Sequence, residues 1–422
     1  YTASLRPSIT NEARLSFSRD NLGWNRPHPE IPTLSSGDGV MLPGSPAFYE
    51  YRNLNRSTEL LDNVIWTQGR HLVTVGAGAL FRASDGYLTA GRDGQYLFSN
   101  IVSFALDRPS SLRITLDRGA LTNNSRVQLP QFDRSYRYPQ SFAFVQDTWK
   151  VATRLTLNFG LRYELFGGPS NVGLTKDVLV QLGQGPLSPA LGKATLPAPP
   201  TGDQKLFGTD KKNFAPRIGA SYDLTGKGSL LIRGAYGIFY DRPYDNLWQN
   251  LRNNNSVLPV LPLTGGSTDV LTPLSNIISR YNANAIAADF PSMTIVDPNL
   301  KNGYVHSYFA GIQKRFGNNL SIETDALGAY SRRLITTDIV NRDFTLASGR
   351  LNDNLPDISY RSGQGYANYN ALASIIRYRS GNVLLQGSYT WGHVIDNQSD
   401  ALTGVTSVSC NCASSCRISA SY

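Results

Sequence analysis

The four histidines are the side chains of this sequence best suited to proton transfer or transition-metal binding. They are His28, His71, His306 and His393, which lie far apart and share no metal-ligand spacing. A serine paired with one of them could make a hydrolase, but no short nucleophile motif marks such a serine. We therefore interpret each histidine as a residue of a loop or of an internal lumen, and we predict no metal site.

The three cysteines lie close together near the last residue, at Cys410, Cys412 and Cys416. Thiolates bind soft metals, but three of them in a serine-rich segment without histidine match no zinc spacing. A local disulfide plus one free thiol is the favoured interpretation, and we assign these cysteines no function. Because the preceding residues contain no cysteine, the chain is not a scaffold stapled by disulfides.

Two further segments contain residues that could have a chemical role. Asp147, two residues before Trp149, could act as an acid, but it is predicted to lie beside a short turn, where a hydrogen bond to the turn backbone is the expected role. The segment Gly226-Lys227-Gly228 lacks the spacing of a phosphate-binding loop and is predicted to be a turn. The sequence thus predicts no catalytic, cofactor or metal residue, and the protein is not expected to be an enzyme.

The bulk composition excludes several classes of protein. The formal charge is +9, but the 40 lysines and arginines form no run longer than a pair such as Lys211-Lys212, so nucleic acid is not a predicted partner. No apolar run approaches the ~18 to 20 residues that a membrane-spanning helix needs. Tyr1 opens no secretion signal, and we expect any such signal to lie outside these residues. A slightly negative mean hydropathy fits a soluble protein and a transmembrane barrel equally well.

Strands with two unlike faces are predicted where apolar and polar residues alternate. One such run has Leu155, Leu157, Phe159, Leu161 and Tyr163 on one face and Thr156, Asn158, Gly160, Arg162 and Glu164 on the other. Upstream, Ala143, Val145 and Trp149 alternate in the same way, so the two runs are predicted to form an antiparallel hairpin. We expect the apolar face of this hairpin to contact lipid.

The hairpin unit recurs along the chain. The further predicted pairs are residues 1–5 with 11–19, 58–67 with 71–82, 214–222 with 230–240, 304–316 with 320–330, and 368–379 with 383–391. Glycine and asparagine in the short turns supply the positive φ that tight turns require. Residues 94–116 carry a weaker pattern and are not assigned.

Long segments join the hairpins, at residues 166–213, 241–303 and 331–367. Loops beyond ~12 to 15 residues are uncommon in compact soluble domains. Stretches such as 197–200 and 253–255 are expected to bury little and to be mobile. Alternation of short turns and long loops is the arrangement of outer-membrane barrels, whose short turns face the periplasm and whose long loops face outward. The predicted fold class is therefore all-β, an antiparallel transmembrane β-barrel built of hairpins.

Aromatic residues fall near the ends of the predicted strands, as the interfacial girdles of a barrel would require. Those beside short turns are Trp149, Tyr222 and Phe316, and those toward the long loops are Tyr163, Tyr240, Tyr330 and Trp391. The alternative to an interfacial girdle is that aromatic side chains simply favour strands.

The amino-acid sequences of two hairpins resemble those of TonB-dependent receptors. Residues 141–150, SFAFVQDTWK, followed by 155–164, LTLNFGLRYE, are similar to a hairpin of that family. Residues 213–219, NFAPRIG, and 232–241, IRGAYGIFYD, resemble the next hairpin of its Oar-like, carboxypeptidase-regulatory-domain branch, as does Tyr389-Thr390-Trp391 with Ile395-Asp396-Asn397.

The resemblance implies the barrel portion of a receptor for TonB-energised uptake of an unidentified substrate, in the outer membrane of a Gram-negative-type bacterium. Its implied partners are outer-membrane lipid, an extracellular ligand, and the TonB complex acting through a plug domain. The family implies about 22 strands and the six hairpins give about 12, so we expect residues 1–422 to be a partial barrel without plug or C-terminal strands. The alternative is a surface structural or adhesion protein on the same scaffold.

Overall fold

The computed structural model describes residues 1–27, 33–44, 49–123, 125–263, 274–286 and 292–402. Twelve strands in these residues form a continuous wall. They are β1 (Thr2–Arg6), β2 (Ile9–Trp24), β3 (Tyr49–Gln68), β4 (His71–Ala90), β5 (Gln140–Ala152), β6 (Leu155–Phe166), β7 (Asn213–Asp223), β8 (Leu230–Tyr240), β9 (Tyr304–Phe316), β10 (Leu320–Val340), β11 (Ile358–Ser380) and β12 (Val383–Asp396).

Each wall strand pairs antiparallel with the next one along the chain, which confirms all six predicted hairpins. Within the described residues β1 pairs only with β2 and β12 only with β11, so the sheet is open. Short turns join the strands of each hairpin at one end of the wall, and the long connections lie at the other end. The asymmetry predicted from the sequence is therefore present.

The wall has two different faces, fixed by its register. Directly opposed residues share a face, so Val145, Leu161 and Pro216 form one row and Gln146, Gly160 and Arg217 form the next row on the opposite face. We call the face of the Val145 row the outer face and that of the Gln146 row the inner face.

The outer face is apolar and uncovered by the rest of the chain. Exposed fractions are 50% for Val75, 53% for Ile218, 46% for Ile312 and 45% for Leu372. The register also places all seven predicted girdle aromatics on this face. A largely apolar surface of this kind is stable against lipid rather than water.

Long connections fold into short elements of their own. Their strands are Thr33–Ser36, Gln95–Phe98, Ser111–Arg113, Leu116–Asp117, Arg134–Arg137, Ser170–Asn171, Gln204–Lys205, Ser256–Val257, Val260–Pro262 and Met293–Val296. The helices are α1 (Ile101–Ala105), α2 (Arg118–Asn123), α3 (Leu187–Gly192), α4 (Asn246–Gln249) and α5 (Leu274–Ile278), with 3₁₀ turns at Asn250–Asn255 and Ala283–Ala285. None of the α-helices in the described ranges has the length or apolar character to cross a membrane.

These connections pack into what we call the loop assembly, and it contains three hydrophobic cores among the described residues. One core gathers around Tyr96 and Leu112, a second around Tyr136 and Trp248, and a third around Met293 and its neighbours. The expectation that 253–255 bury little was therefore wrong, whereas 197–200 are exposed as expected. Asn254, in the 253–255 stretch, is only 1% exposed and its side chain bonds the backbone of Val178 and Thr294.

Several strands are longer than the sequence predicted, since β2 runs to Trp24, β3 begins at Tyr49 and β4 runs to Ala90. The predicted loop 331–367 is strand at both ends, because β10 runs to Val340 and β11 begins at Ile358. Consecutive residues there, such as Thr336 with Thr337, are buried, so the alternation that marks a two-faced strand is absent. The unassigned residues 94–116 form short strands and α1 within the loop assembly.

Candidate functional site on the inner wall and loop assembly

The inner face carries a connected polar cluster, with charges on β8, β10 and β11 and an amide on β12. Arg233 of β8 pairs with Glu323 of β10 and lies 3.6 Å from Asp325. Arg377 of β11 lies 3.5 Å from Glu323, and its Nε donates to Gln386 of β12 at 3.1 Å. Charges are costly in hydrocarbon and are accommodated where they pair and face a polar interior. This cluster therefore identifies the inner face as the polar side of the wall.

Arginines also lie over aromatic rings on the inner face. The guanidinium carbon of Arg162 is 3.9 Å from the ring centroid of Phe142, and that of Arg217 is 4.4 Å from Phe239. Such cation–π contacts fix long side chains against the wall.

Small residues make room for these rings and for a cavity. A Cβ on Gly76 would come within 2.7 Å of the Phe144 ring, and one on Gly78 within 2.6 Å of the Phe142 ring, so each glycine admits an aromatic side chain. A cavity of about 590 Å³ lies along β5 to β11. Its inner-face lining includes Gly160, Gly219, Ala235, Gly237, Ser307 and Ala329.

The loop assembly is held together by a buried ion pair. Arg134 Nε donates to Asp177 Oδ1 at 3.2 Å, with the two side chains 1% and 0% exposed. The Asp177 carboxylate also accepts from the hydroxyl of Tyr136 at 3.1 Å and from Asn171 Nδ2 at 2.8 Å. Burial, and then the Asp177 charge, raises the pKa of Tyr136, so its hydroxyl remains a donor. Every partner the carboxylate needs is present, which makes a buried charge tolerable.

A second charged group lies where β3 meets the loop assembly. Arg92 Nη1 lies 3.3 Å from Glu50 Oε2, and Arg26 Nη1 lies 3.2 Å from Asp93 Oδ2. Glu50 is the second residue of β3, far beyond the ~9 to 11 residues that cross the hydrocarbon layer from the short turn. Burial, and then the neighbouring Asp93, raises the pKa of Glu50 to about 7.

The described histidines lie elsewhere than predicted. His71, His306 and His393 project from the outer face, whereas we expected loop or lumen positions. His71 bonds Asp147 and His306 bonds the Tyr236 hydroxyl at 2.6 Å. Strand parity places these histidines on the outer face, because every second residue of a strand points to the same side. From the sequence, this alternation was used only to assign apolar residues and not single polar ones. His28 lies outside the described residues, as do Cys410, Cys412 and Cys416.

Two predicted turn features have different outcomes. Asp147 bonds His71 of the adjacent strand and not the turn backbone, because its side chain lies beside the first residue of β4. The Gly226-Lys227-Gly228 segment is a turn, closed by N–H donation from Gly226 and Gly228 to the Asp223 carboxylate at 3.0 and 2.7 Å. Among the described residues, no three histidine, cysteine or acidic side chains converge as metal ligands would.

An antiparallel meander with an apolar outer face, a charged inner face and a folded assembly at one end defines the wall of a transmembrane β-barrel. The chain belongs to the family described as outer membrane beta barrel domain, which matches residues 1–422. Its location is therefore the outer membrane of a Gram-negative-type bacterium, and its family is one of barrel domains and not of enzymes.

Similar solved structures include two transporters and one receptor. The copper transporter OprC is 12% identical, with a TM-score of 0.48, over 92% of this chain and 46% of that one. The ferripyoverdine receptor of Pseudomonas aeruginosa is 13% identical, with a TM-score of 0.46, over 94% and 39%. The FrpB iron transporter of Neisseria meningitidis is 9% identical, with a TM-score of 0.46, over 96% and 44%. The chain thus spans less than half the length of these proteins. No curated protein matches it.

Proposed function

We propose that this chain forms part of the barrel wall of an outer-membrane receptor, which takes up an extracellular ligand with energy from the TonB system. One observation carries the proposal: an inner face with paired charges, and with a cavity lined in part by small residues, leads from a folded loop assembly at one end of the wall. That arrangement supplies a surface to capture a ligand and a polar path behind it.

The amino-acid sequence of the β5–β6 hairpin supports the TonB part of the proposal. Residues 141–150 and 155–164 resemble the corresponding hairpin of TonB-dependent receptors, and they form the strand pair that this resemblance implies. An energised receptor also needs a plug domain and a TonB-contacting segment. The full-length gene sequence tests for both.

The loop assembly also suits a second function, that of a structural or adhesive surface protein. Its buried Arg134–Asp177 pair and three hydrophobic cores make a fixed surface, which a protein partner could recognise without any transport. If the protein is a receptor, deletion of its gene should impair nutrient uptake. If it is an adhesive surface protein, the deletion should impair attachment.

A growth comparison separates them. A strain lacking this gene and a strain lacking the TonB complex are grown on a panel of scarce metal chelates, vitamins and saccharides. Uptake predicts at least one nutrient on which both strains fail, restored in the gene deletion by the wild-type gene. Unchanged growth of the gene deletion on the whole panel, with reduced surface attachment, would support adhesion and contradict the receptor.

A further inference from the structure

Arg332 and Arg333 are adjacent in the middle of β10, which runs from Leu320 to Val340, and successive strand residues normally point to opposite faces. Arg332 opposes Tyr366 and Leu334 opposes Gly365, which leaves Arg333 as the extra residue of a β-bulge. Its φ is +55°, in the left-handed region that residues other than glycine seldom adopt. Bulges re-aim side chains, and strained backbone is concentrated at functional sites.

The bulge brings both guanidinium groups to one cavity. The cavity measures about 460 Å³ and is lined by Tyr304, Arg332, Arg333, Gln364, Gly365, Tyr366 and Asn368. The guanidinium carbon of Arg333 lies 5.3 Å from the Tyr304 ring centroid. Arg332 Nη1 donates to the Ser331 carbonyl at 2.8 Å and to Asn368 Oδ1 at 2.9 Å.

The cavity opens on the outer face, at the edge of the lipid layer. Tyr304, Arg332 and Tyr366 form one row across β9 to β11. Strand parity places this row on the face of Ile312 and Ile376, which are apolar and exposed. Tyrosine is enriched at the level of lipid headgroups, where its ring is apolar and its hydroxyl is hydrated.

Arg332 and Arg333 have no compensating acid among the described residues. In the part of the chain that the structure describes, no carboxylate lies within ion-pair distance of Arg332 or Arg333, whereas Arg233 and Arg377 on the inner face are both paired. Adjacent like charges repel, and a bound anion would offset this cost.

We propose that this cavity binds the phosphate-bearing headgroup of a membrane lipid in the leaflet beside the loop assembly. Guanidinium groups recognise phosphate oxygens through paired, charge-assisted hydrogen bonds. The acyl chains would then lie along the apolar surface below, next to Ile312 and Ile376. A soluble anion has no comparable reason to bind on a lipid-facing surface. This site is independent of the ligand-uptake function proposed above.

The test is native mass spectrometry of the full-length protein in detergent, titrated with lipid A, with dephosphorylated lipid A, or with inorganic phosphate. The test variant is R332Q with R333N, because asparagine tolerates positive φ and so preserves the bulge. The matched control is R19Q, since Arg19 is an exposed arginine on the outer face at the loop side of β2. Heat-modifiable gel mobility checks that all proteins are folded.

We expect the double variant to bind phosphorylated lipid about tenfold more weakly, and R19Q to bind like wild type. Binding by wild-type protein should also weaken as salt rises, which requires no variant. Equal binding of phosphorylated and dephosphorylated lipid would overturn the proposal. Inorganic phosphate binding as tightly as the lipid would overturn it too, by identifying a soluble-anion site.

Discussion

The Nδ1 atom of His71 lies 2.7 Å from Oδ2 of Asp147, across the seam between β4 and β5. The imidazole also stacks on the Trp149 indole, with ring centroids 5.3 Å apart. All three side chains lie on the outer face beside the short turns. The pair joins two hairpins at the girdle, so it connects units that the sequence presents as separate.

Removing this bond should weaken the wall modestly. Asp147→Ala is expected to lower the free energy of unfolding by ~0.5 to 1 kcal/mol, because the pair is partly exposed. His71→Phe keeps the ring stacking and should cost a similar amount. Urea unfolding of the two single variants and the double variant checks the coupling, since a true pair makes the double variant no worse than either single. Additive losses would show that the two residues act independently.

Arginine substitutions should distinguish the two faces of β6. Leu161 lies near mid-strand on the outer face, so Leu161→Arg should cost ~2 to 4 kcal/mol of barrel stability. Leu157 is only the third residue of β6, so Leu157→Arg should cost less, because arginine there can reach the interface. Asn158→Arg, on the inner face, should be mild. Unfolding in lipid vesicles measures all three, and equal costs would contradict the assignment of faces.

The buried pair should govern the loop assembly. Asp177→Ala leaves Arg134 charged and unpaired in the interior, at an expected cost of ~3 to 5 kcal/mol. Asp203→Ala, at an exposed position of a neighbouring segment, is the matched control and should change little. Limited proteolysis should show faster cleavage of the loops in D177A while the wall strands stay protected. Equal cleavage of the two variants would remove Asp177 from its structural role.

Protease access should report sidedness and loop packing together. Residues 195–203 are exposed, whereas Asn254 is buried. Proteinase K added to intact cells should therefore cleave within 195–203 first and leave 253–255 intact, which revises the expectation that both stretches are accessible. Protection of 195–203 until the outer membrane is permeabilised would place the loop assembly in the periplasm.

Stability of the loop assembly should fall as pH rises through neutrality. The pKa of Glu50 is raised from its ordinary value of 4.5 to about 7. The folded state thus binds a proton that the unfolded state releases, so this contribution is complete below pH 4.5 and is lost as pH rises through 7. Protease half-lives of the loops between pH 5 and pH 8 measure the trend. Glu50→Gln should flatten it, and an unchanged slope in E50Q would assign it to another group.

The period-2 pattern determined the wall. Hairpins such as β5–β6 could be predicted because a strand between lipid and a polar interior must alternate, and the lipid side allows few exceptions. The same constraint explains why Trp149 and Tyr163 lie at opposite ends of the β5–β6 hairpin, one at each edge of the lipid layer. Above the membrane this constraint ends, so the upper halves of β10 and β11 gave no such signal.

Only the tertiary structure decided the interior of the loop assembly and the pairings between hairpins. Arg134 and Asp177 are 43 residues apart, and nothing local indicates that each neutralises the other. Asn254 looked solvated because composition records polarity but not partners, and a buried amide with three hydrogen bonds has the same sequence signature as an exposed one. Partners of this kind are set by chain crossings over long separations, which periodicity does not encode.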